Sequence, residues 1–250
     1  MQYSHTKNSH TKNIQWISHR GLSHQHNENT LESFKLSCQA DFSYLETDLR
    51  STCDHHIVLC HDSTLKSVSS HNGLVEQMTR RELEKIDLTH GGKLLFLDQF
   101  MLEFKQFNWV FDIKPESAKQ TIGILSVILN NNKTLLSHII FLFWSKQDQA
   151  LFLQDFPDAV CFPRIAECYR AGIASLFGLA LLEKIKKHQI YSITPKFLGL
   201  PLLNKRIVQT FHRHNAKVLA YLPKSKKETQ QSIIAGVDYI LTNEPPLFLR

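Results

Sequence analysis

Four short polar clusters, His19-Arg20-Gly21, Glu46-Thr47-Asp48, His61-Asp62 and Asp112-Ile113-Lys114, each follow an apolar run with strand character. Barrel enzymes place catalytic groups at the ends of strands. Histidine titrates near neutrality, so one of the two imidazoles can accept a nucleophile's proton while the other protonates a departing alcohol. Hard oxygen donors such as Glu46, Asp48 and Asp112 suit Ca²⁺ or Mg²⁺ better than a thiophilic metal. A cation there would act as Lewis acid and template on phosphoryl oxygens. Arg20 offers a planar fork to such oxygens and Lys114 a compact point charge. Taken singly, each residue has an ordinary explanation. A histidine after a strand is commonly a hydrogen-bonded structural residue, and Glu-x-Asp alternation puts two carboxylates on one face of many exposed strands. Glu28 alone would be an acid favoured by a helix dipole. The signal lies in the joint order of the clusters.

Positioning these residues requires repeated βα units. Nine strand candidates occupy 14–18, 44–49, 57–60, 109–113, 139–144, 159–162, 190–194, 217–222 and 239–242. A barrel needs about eight. Turn chemistry around Asp54 absorbs the surplus, because it lets 44–49 and 57–60 pair as a hairpin that brings His61 close to Glu46 and Asp48. Apolar residues recurring at three and four suggest helices at 30–40, 117–129, 147–155, 176–187, 202–214 and 226–235. The expected fold is therefore α/β, a single TIM-type (β/α)8 barrel over residues 14–250, a size such barrels commonly have. Residues 63–92 form an irregular insertion after the third strand segment, with a short helix near 79–86, expected to sit on the upper rim and partly cover the site. Residues 1–13 hold a polar repeat, Ser4-His5-Thr6-Lys7-Asn8 and Ser9-His10-Thr11-Lys12-Asn13, and are expected to form a flexible tail.

Composition narrows the partners. The 42% hydrophobic content supplies a sizeable core and excludes wholesale disorder. The net charge of +6 is scattered apart from short lysine groups at 184–187 and 224–227, which suit solvated helix faces. The scatter counts against nucleic acid, which is not expected as a partner, but a positive surface also steers anionic phosphodiesters, so charge alone does not choose between polymer and small-molecule partners. Five cysteines, Cys38, Cys53, Cys60, Cys161 and Cys168, lack C-x-x-C spacing and are expected as reduced thiols of a cytoplasmic protein. No stretch approaches the roughly 20 apolar residues of a membrane span, and the N-terminus lacks an export signal's apolar region, so no stable membrane insertion is expected. Oligomeric state is left open.

The same motifs resemble the glycerophosphodiester phosphodiesterase family. His19-Arg20-Gly21 is followed after six residues by Glu28-Asn29-Thr30, then Glu46-x-Asp48, Thr52-x-Asp54, and Ile57 through His61-Asp62. Asp112-Ile113-Lys114-Pro115 and the segment Gly236 to Asn243 continue it. The resemblance implies that His19 and His61 form the acid/base pair and that Glu46, Asp48 and Asp112 hold Ca²⁺ or Mg²⁺. It further implies that Arg20 and Lys114 contact phosphate and that Glu28 joins the surrounding polar network. The implied reaction is hydrolysis of glycerophosphodiesters to glycerol 3-phosphate and an alcohol. A barrel of phospholipase D type acting on sphingomyelin or lysophospholipids is the neighbouring alternative, and a non-catalytic phosphate-ligand barrel the alternative of another class. Departures from the family pattern are Asp112 where Glu is usual, Trp144-Ser145 for Ser-Phe, Tyr221-Leu222-Pro223-Lys224 after the penultimate strand, and Asn243 for Asp. Tyr221, Trp144 and Phe197 are candidates to line the alcohol pocket. The apolar run 171–182 is expected as a buried barrel helix, with lipid contact as its other reading.

Overall fold

Along Tyr44–Ser51, Glu46, Asp48 and Arg50 alternate with Leu45, Thr47 and Leu49. A strand sends successive side chains to opposite faces, so this segment presents one apolar face and one charged face. The same division recurs where Ile17 shares a face with His19, and Val110 with Asp112. The computed structural model describes residues 14–179, 184–197 and 199–246, and the N-terminal repeat lies outside them. Its strands are β1 (Gln15–His19), β2 (Tyr44–Ser51), β3 (Ile57–Leu59), β4 (Asn108–Ile113), β5 (Ile139–Phe143), β6 (Val160–Cys161), β7 (Ile190–Ile193), β8 (Lys196–Phe197), β9 (Leu200–Pro201), β10 (Lys217–Tyr221) and β11 (Tyr239–Thr242).

Eight of these run parallel in the order β6-β5-β4-β2-β1-β11-β10-β7, the circular order of a (β/α)8 barrel. Among the described residues no ladder joins β6 to β7, so the sheet has a seam there. The expected hairpin is present: β3 pairs antiparallel with β2 through Leu49 opposite Leu59 and Ser51 opposite Ile57. Its turn is held by the Thr52 hydroxyl, which donates to Asp54 at 2.7 Å and accepts the His56 N–H at 2.9 Å.

The helices are α1 (Leu31–Cys38), α2 (Arg80–Leu83), α3 (Leu97–Glu103), α4 (Ala118–Asn131), α5 (Lys146–Asp155), α6 (Ile165–Phe177), α7 (Lys205–Arg213) and α8 (Lys226–Ala235). Outward faces of β2, β4 and β5 meet α3, α4 and α5 in a Phe-rich layer, where Phe100 lies 4.8 Å from Phe34 and 6.0 Å from Trp109. A second layer joins β7, β10 and β11 to α6, α7 and α8. Inside the barrel a small cluster including Ile17, Val110, Leu219 and Leu241 forms the floor beneath the polar site.

Of the helix expected at 176–187, residues 180–183 lie outside the described residues; the helix described beside them, not expected from the sequence, is Ile165–Phe177, which ends at Gly178, whose φ of 67° suits a left-handed C-terminal cap. It packs through Ala171, Gly172, Ala174 and Ser175, small residues that apolar periodicity underweights. Ala171 and Ala174 are buried, Phe177 is 64% exposed, and the end of the apolar run lies outside the described residues. Helix α3 was not expected; the Gln99 side chain accepts the Phe96 N–H at 3.1 Å and Phe100 anchors it in the core. The insertion, expected to cover part of the site, borders the neighbouring cleft beside His61 through Ser67, Val68 and Leu88. Val58, Leu65, Val75, Leu83 and Phe96 form their own core, and no residue of 63–92 lines the main cavity.

The turn after β1 depends on one glycine. Gly21 has φ 81°, and a Cβ there would sit 2.3 Å from the Ser33 hydroxyl and 2.7 Å from the Ser33 backbone carbon. Gly21→Ala is therefore expected to lower stability by more than about 1 kcal/mol, since both conformation and space are incompatible. Urea unfolding of the two proteins checks this; an unchanged midpoint would mean that the turn relaxes freely.

Candidate active site

Register brings the polar clusters together. His19 is paired with Glu46 across β1 and β2, and Asp48 with Asp112 across β2 and β4, so their inward side chains share adjoining layers at the C-terminal mouth. Ligand-capable oxygens of Glu46, Asp48 and Asp112 lie within 4.8 Å of one another, and all three residues are buried. Lys114 Nζ reaches Asp48 Oδ1 at 2.8 Å and Asp112 Oδ2 at 2.7 Å. Arg20 Nε lies 3.0 Å from Asp48 Oδ2, while the Arg20 backbone N–H donates to Glu46 Oε2 at 3.1 Å.

The electrostatics favour a further positive charge. Burial, reinforced by Asp48, holds the Glu46 carboxyl well above the ordinary carboxylate range. Burial also raises Asp112 despite Lys114. Asp48 would be raised by burial too, but Lys114 and Arg20 outweigh it and hold it below its ordinary value. Three buried carboxylates thus face two cations. The all-oxygen donor set fits a hard divalent ion, which would relieve the excess negative charge.

Both histidines line one cavity of about 200 Å³ together with Arg20, Glu46, Asp112 and Lys114. The His19 Nδ1–H donates to the Asn243 carbonyl oxygen at 2.6 Å, which leaves Nε2 with the lone pair. Burial, then the neighbouring Arg20, pushes His19 down to about 4, so the ring is neutral at physiological pH. His61 Nδ1 is oriented by Asp62 Oδ1 at 2.7 Å, and Ser67 in turn donates to Asp62 at 2.6 Å. Tyr221 lines the same cavity, as does Trp144; Phe197 does not, and packs against Tyr169 at 5.1 Å instead. Glu28 stands apart from the three-acid group. It pairs with Arg20 Nη1 at 3.2 Å and borders the neighbouring cleft, so its contact is with the arginine and not with the main cavity.

Several hydrogen-bond partners of these residues were not assigned from sequence, although Asn29 and Trp144 were noted there in motifs. Asn29 donates to Asp48 Oδ2 at 2.8 Å and accepts from Thr47 at 2.8 Å, which fixes the central carboxylate. Buried Arg50 donates to the His61 carbonyl at 2.7 and 3.1 Å and pairs with Glu76 of the insertion at 2.6 Å. The insertion therefore braces the His61 turn from outside. The Trp144 indole N–H donates to Asp112 Oδ1 at 2.7 Å, and its ring lies 5.3 Å from Lys114 Nζ. Asp112 and Trp144, both noted in the sequence as departures from the pattern it resembles, thus meet in one hydrogen bond.

No helix among the described residues is long and apolar enough to cross a membrane. Over 249 residues the chain is 24% identical to the glycerophosphodiester phosphodiesterase of Caldanaerobacter subterraneus, covering 94% of this chain and 96% of that one. The glycerophosphodiester phosphodiesterase of Bacillus altitudinis is 30% identical over 251 residues, covering 92% and 94%. An Oleispira antarctica phosphodiesterase, solved in complex with the product sn-glycerol-3-phosphate, superposes with TM-score 0.70 at 20% identity, covering 92% of this chain and 93% of that one. With residues 19–160 matching its family model as well, the chain belongs to the glycerophosphoryl diester phosphodiesterase family.

Proposed function

We propose that the protein hydrolyses glycerophosphodiesters to glycerol 3-phosphate and an alcohol, with a divalent cation and a histidine pair. The observation that carries this is the convergence of His19, His61, Arg20, Lys114, Glu46 and Asp112 on one cavity, with the buried Asp48 within 4.8 Å of the other two carboxylates. The complex of the Oleispira antarctica relative with sn-glycerol-3-phosphate supports the product.

In this reading Glu46, Asp48 and Asp112 hold Ca²⁺ or Mg²⁺, which supplies Lewis acidity and charge neutralisation to the phosphoryl oxygens. Arg20 and Lys114 bind the remaining phosphate charge. They are already held by Asp48, so little reorganisation is needed when the substrate enters. Neutral His19 takes the proton of the attacking hydroxyl at Nε2, either from water or from a free glycerol hydroxyl beside the phosphate. His61, steadied by Asp62, gives a proton to the departing alcohol oxygen as the P–O bond breaks. Where the glycerol hydroxyl attacks first, a cyclic phosphate forms and water opens it with the same two groups in reversed roles. One water is consumed and the phosphate stays with glycerol. Tyr221 and Trp144 stand at the mouth of the cavity, where the alcohol enters and leaves.

Three outcomes follow from these roles. His19→Ala and His61→Ala are each expected to lower kcat by about 10²-fold or more with the fold intact, as loss of general acid–base catalysis does; retained turnover in both would remove them from the mechanism. Excess chelator is expected to abolish hydrolysis of glycerophosphocholine, and added Ca²⁺ or Mg²⁺ to restore it, whereas full activity in chelator would dismiss the cation. Trp144→Phe keeps a ring beside Lys114 but releases Asp112 Oδ1. Calorimetric titration with the divalent ion is expected to show an affinity about 10-fold weaker at unchanged metal-free stability. Equal affinity would show that Asp112 needs no such support.

A further inference from the structure

The cavity at the barrel mouth has two sides of unlike charge. In the sheet order β1 stands four strands from β6 and three from β7, so the groups that follow β6 and β7 face those of β1 and β2 across the mouth. The acids lining the cavity, Glu46 and Asp112, belong to β2 and β4, and the cations beside them, Arg20 and Lys114, are both held by Asp48. Among the described residues lining the opposite side, the charge is a guanidinium, that of Arg164, shortly after β6. Its ionic partner is Glu167, 3.4 Å from Nε, and that carboxylate also accepts the Arg164 backbone N–H at 3.1 Å and faces Lys186 at 3.8 Å. The two terminal nitrogens of Arg164 have no acceptor among the described residues. In the same wall the Thr194 hydroxyl is buried without a hydrogen-bond partner among the described residues.

We infer that Arg164 selects the alcohol half of the diester, and that the alcohol it selects carries an anionic oxygen group, a carboxylate or a second phosphate; the inference rests on the phosphodiesterase reading above. The scissile phosphate has Arg20, Lys114 and the three-carboxylate site to meet its charge, and glycerol carries none. A third cation across the mouth therefore serves the other end of the substrate. A guanidinium matches a carboxylate or phosphate through two parallel N–H···O bonds. Phe162, Ile193 and Leu202 line the same side, and in such apolar surroundings an ionic hydrogen bond is stronger than in water and a like charge is repelled more. Choline is disfavoured on that ground. The aromatic rings that would hold it are committed elsewhere, Trp144 at 5.3 Å from Lys114 Nζ and Tyr169 against Phe197 at 5.1 Å.

Two matched pairs of diesters, each differing by one anionic group, test this. Glycerophosphoethanolamine against glycerophosphoserine reads the carboxylate, and glycerophosphoglycerol against its terminal monophosphate reads the phosphate. With Mg²⁺ present, kcat/KM is expected to be about 10-fold higher for the anionic member of at least one pair, mainly through KM. That is the low end for a charge-assisted bond, as suits an arginine side chain 35% exposed. Arg164→Gln is expected to bring the ratio to about one, Arg164→Lys to keep part of it, and Arg164→Glu to turn the preference toward glycerophosphocholine. A merely structural role would lower turnover of every substrate alike and leave the ratio in place. Equal kcat/KM within both pairs overturns the inference and leaves the activity; a ratio that survives in folded Arg164→Gln overturns it too. Calorimetric titration with O-phosphoserine and with phosphoethanolamine runs in parallel. Tighter binding of O-phosphoserine with no diester hydrolysed removes the activity and leaves the Arg164 site, whereas equal binding with no hydrolysis removes both.

Discussion

A carboxylate with no solvent exposure is the constraint from which the mouth of this barrel is built. Asp48 is sealed from water and is reached by Arg20, Lys114 and Asn29. Burying a lone charge is prohibitive, and losing one partner of a buried pair strands the other. The cations contributed by β1 and β4 are therefore required on either side of β2, and each arrives with its own attachments, Glu28 for Arg20 and Asp112 for Lys114. Charge balance in this small volume ties together three neighbouring strands that the ladder alone would only align.

Around that centre the two histidines are held by different means. His19 is fixed from the far end of the chain, by Asn243 just after β11. His61 sits at the end of a hairpin arm and is fixed at its carbonyl by buried Arg50 and at its ring by Asp62. The insertion supplies Glu76 to Arg50 and Ser67 to Asp62, so its small hydrophobic core stabilises a backbone position more than it shields a cavity. Preorganisation of this sort is how a site limits the reorganisation needed when charge moves.

The sequence disclosed those parts of the molecule whose logic is local. Alternation in 44–51 marked the charged inner face, and Thr52 to His56 marked the hairpin, because strand period and turn chemistry are written in adjacent residues. Helix α6 was not anticipated because it buries alanine, glycine and serine. Gly172 lies so near β7 that a Cβ would come within 3.3 Å of the Ile193 Cδ1 methyl, a tight contact that a side chain there would close only if that methyl shifted. Asn29, Arg50, Trp144 and Asn243 were illegible as partners for another reason. Their hydrogen bonds span 11 to 224 residues of chain, and only the register of the assembled sheet makes them neighbours. Glu28 shows the intermediate case, since its motif was visible but the guanidinium it holds became evident only in three dimensions.

The adjacency of β1 and β11 has a consequence for biosynthesis. Trp16 lies opposite Ile240 and Ile17 opposite Leu241, so the edge of β1 stays unpaired on that side until synthesis has passed β11. Domains generally fold as units during or after translation, and unpaired edges are exposed in the interval. A nascent chain halted before β11 would carry every acidic residue of the site yet leave the His19 ring without its amide anchor. Closing the circle and orienting the first histidine are thus one late event, which couples completion of the barrel to the onset of catalytic competence.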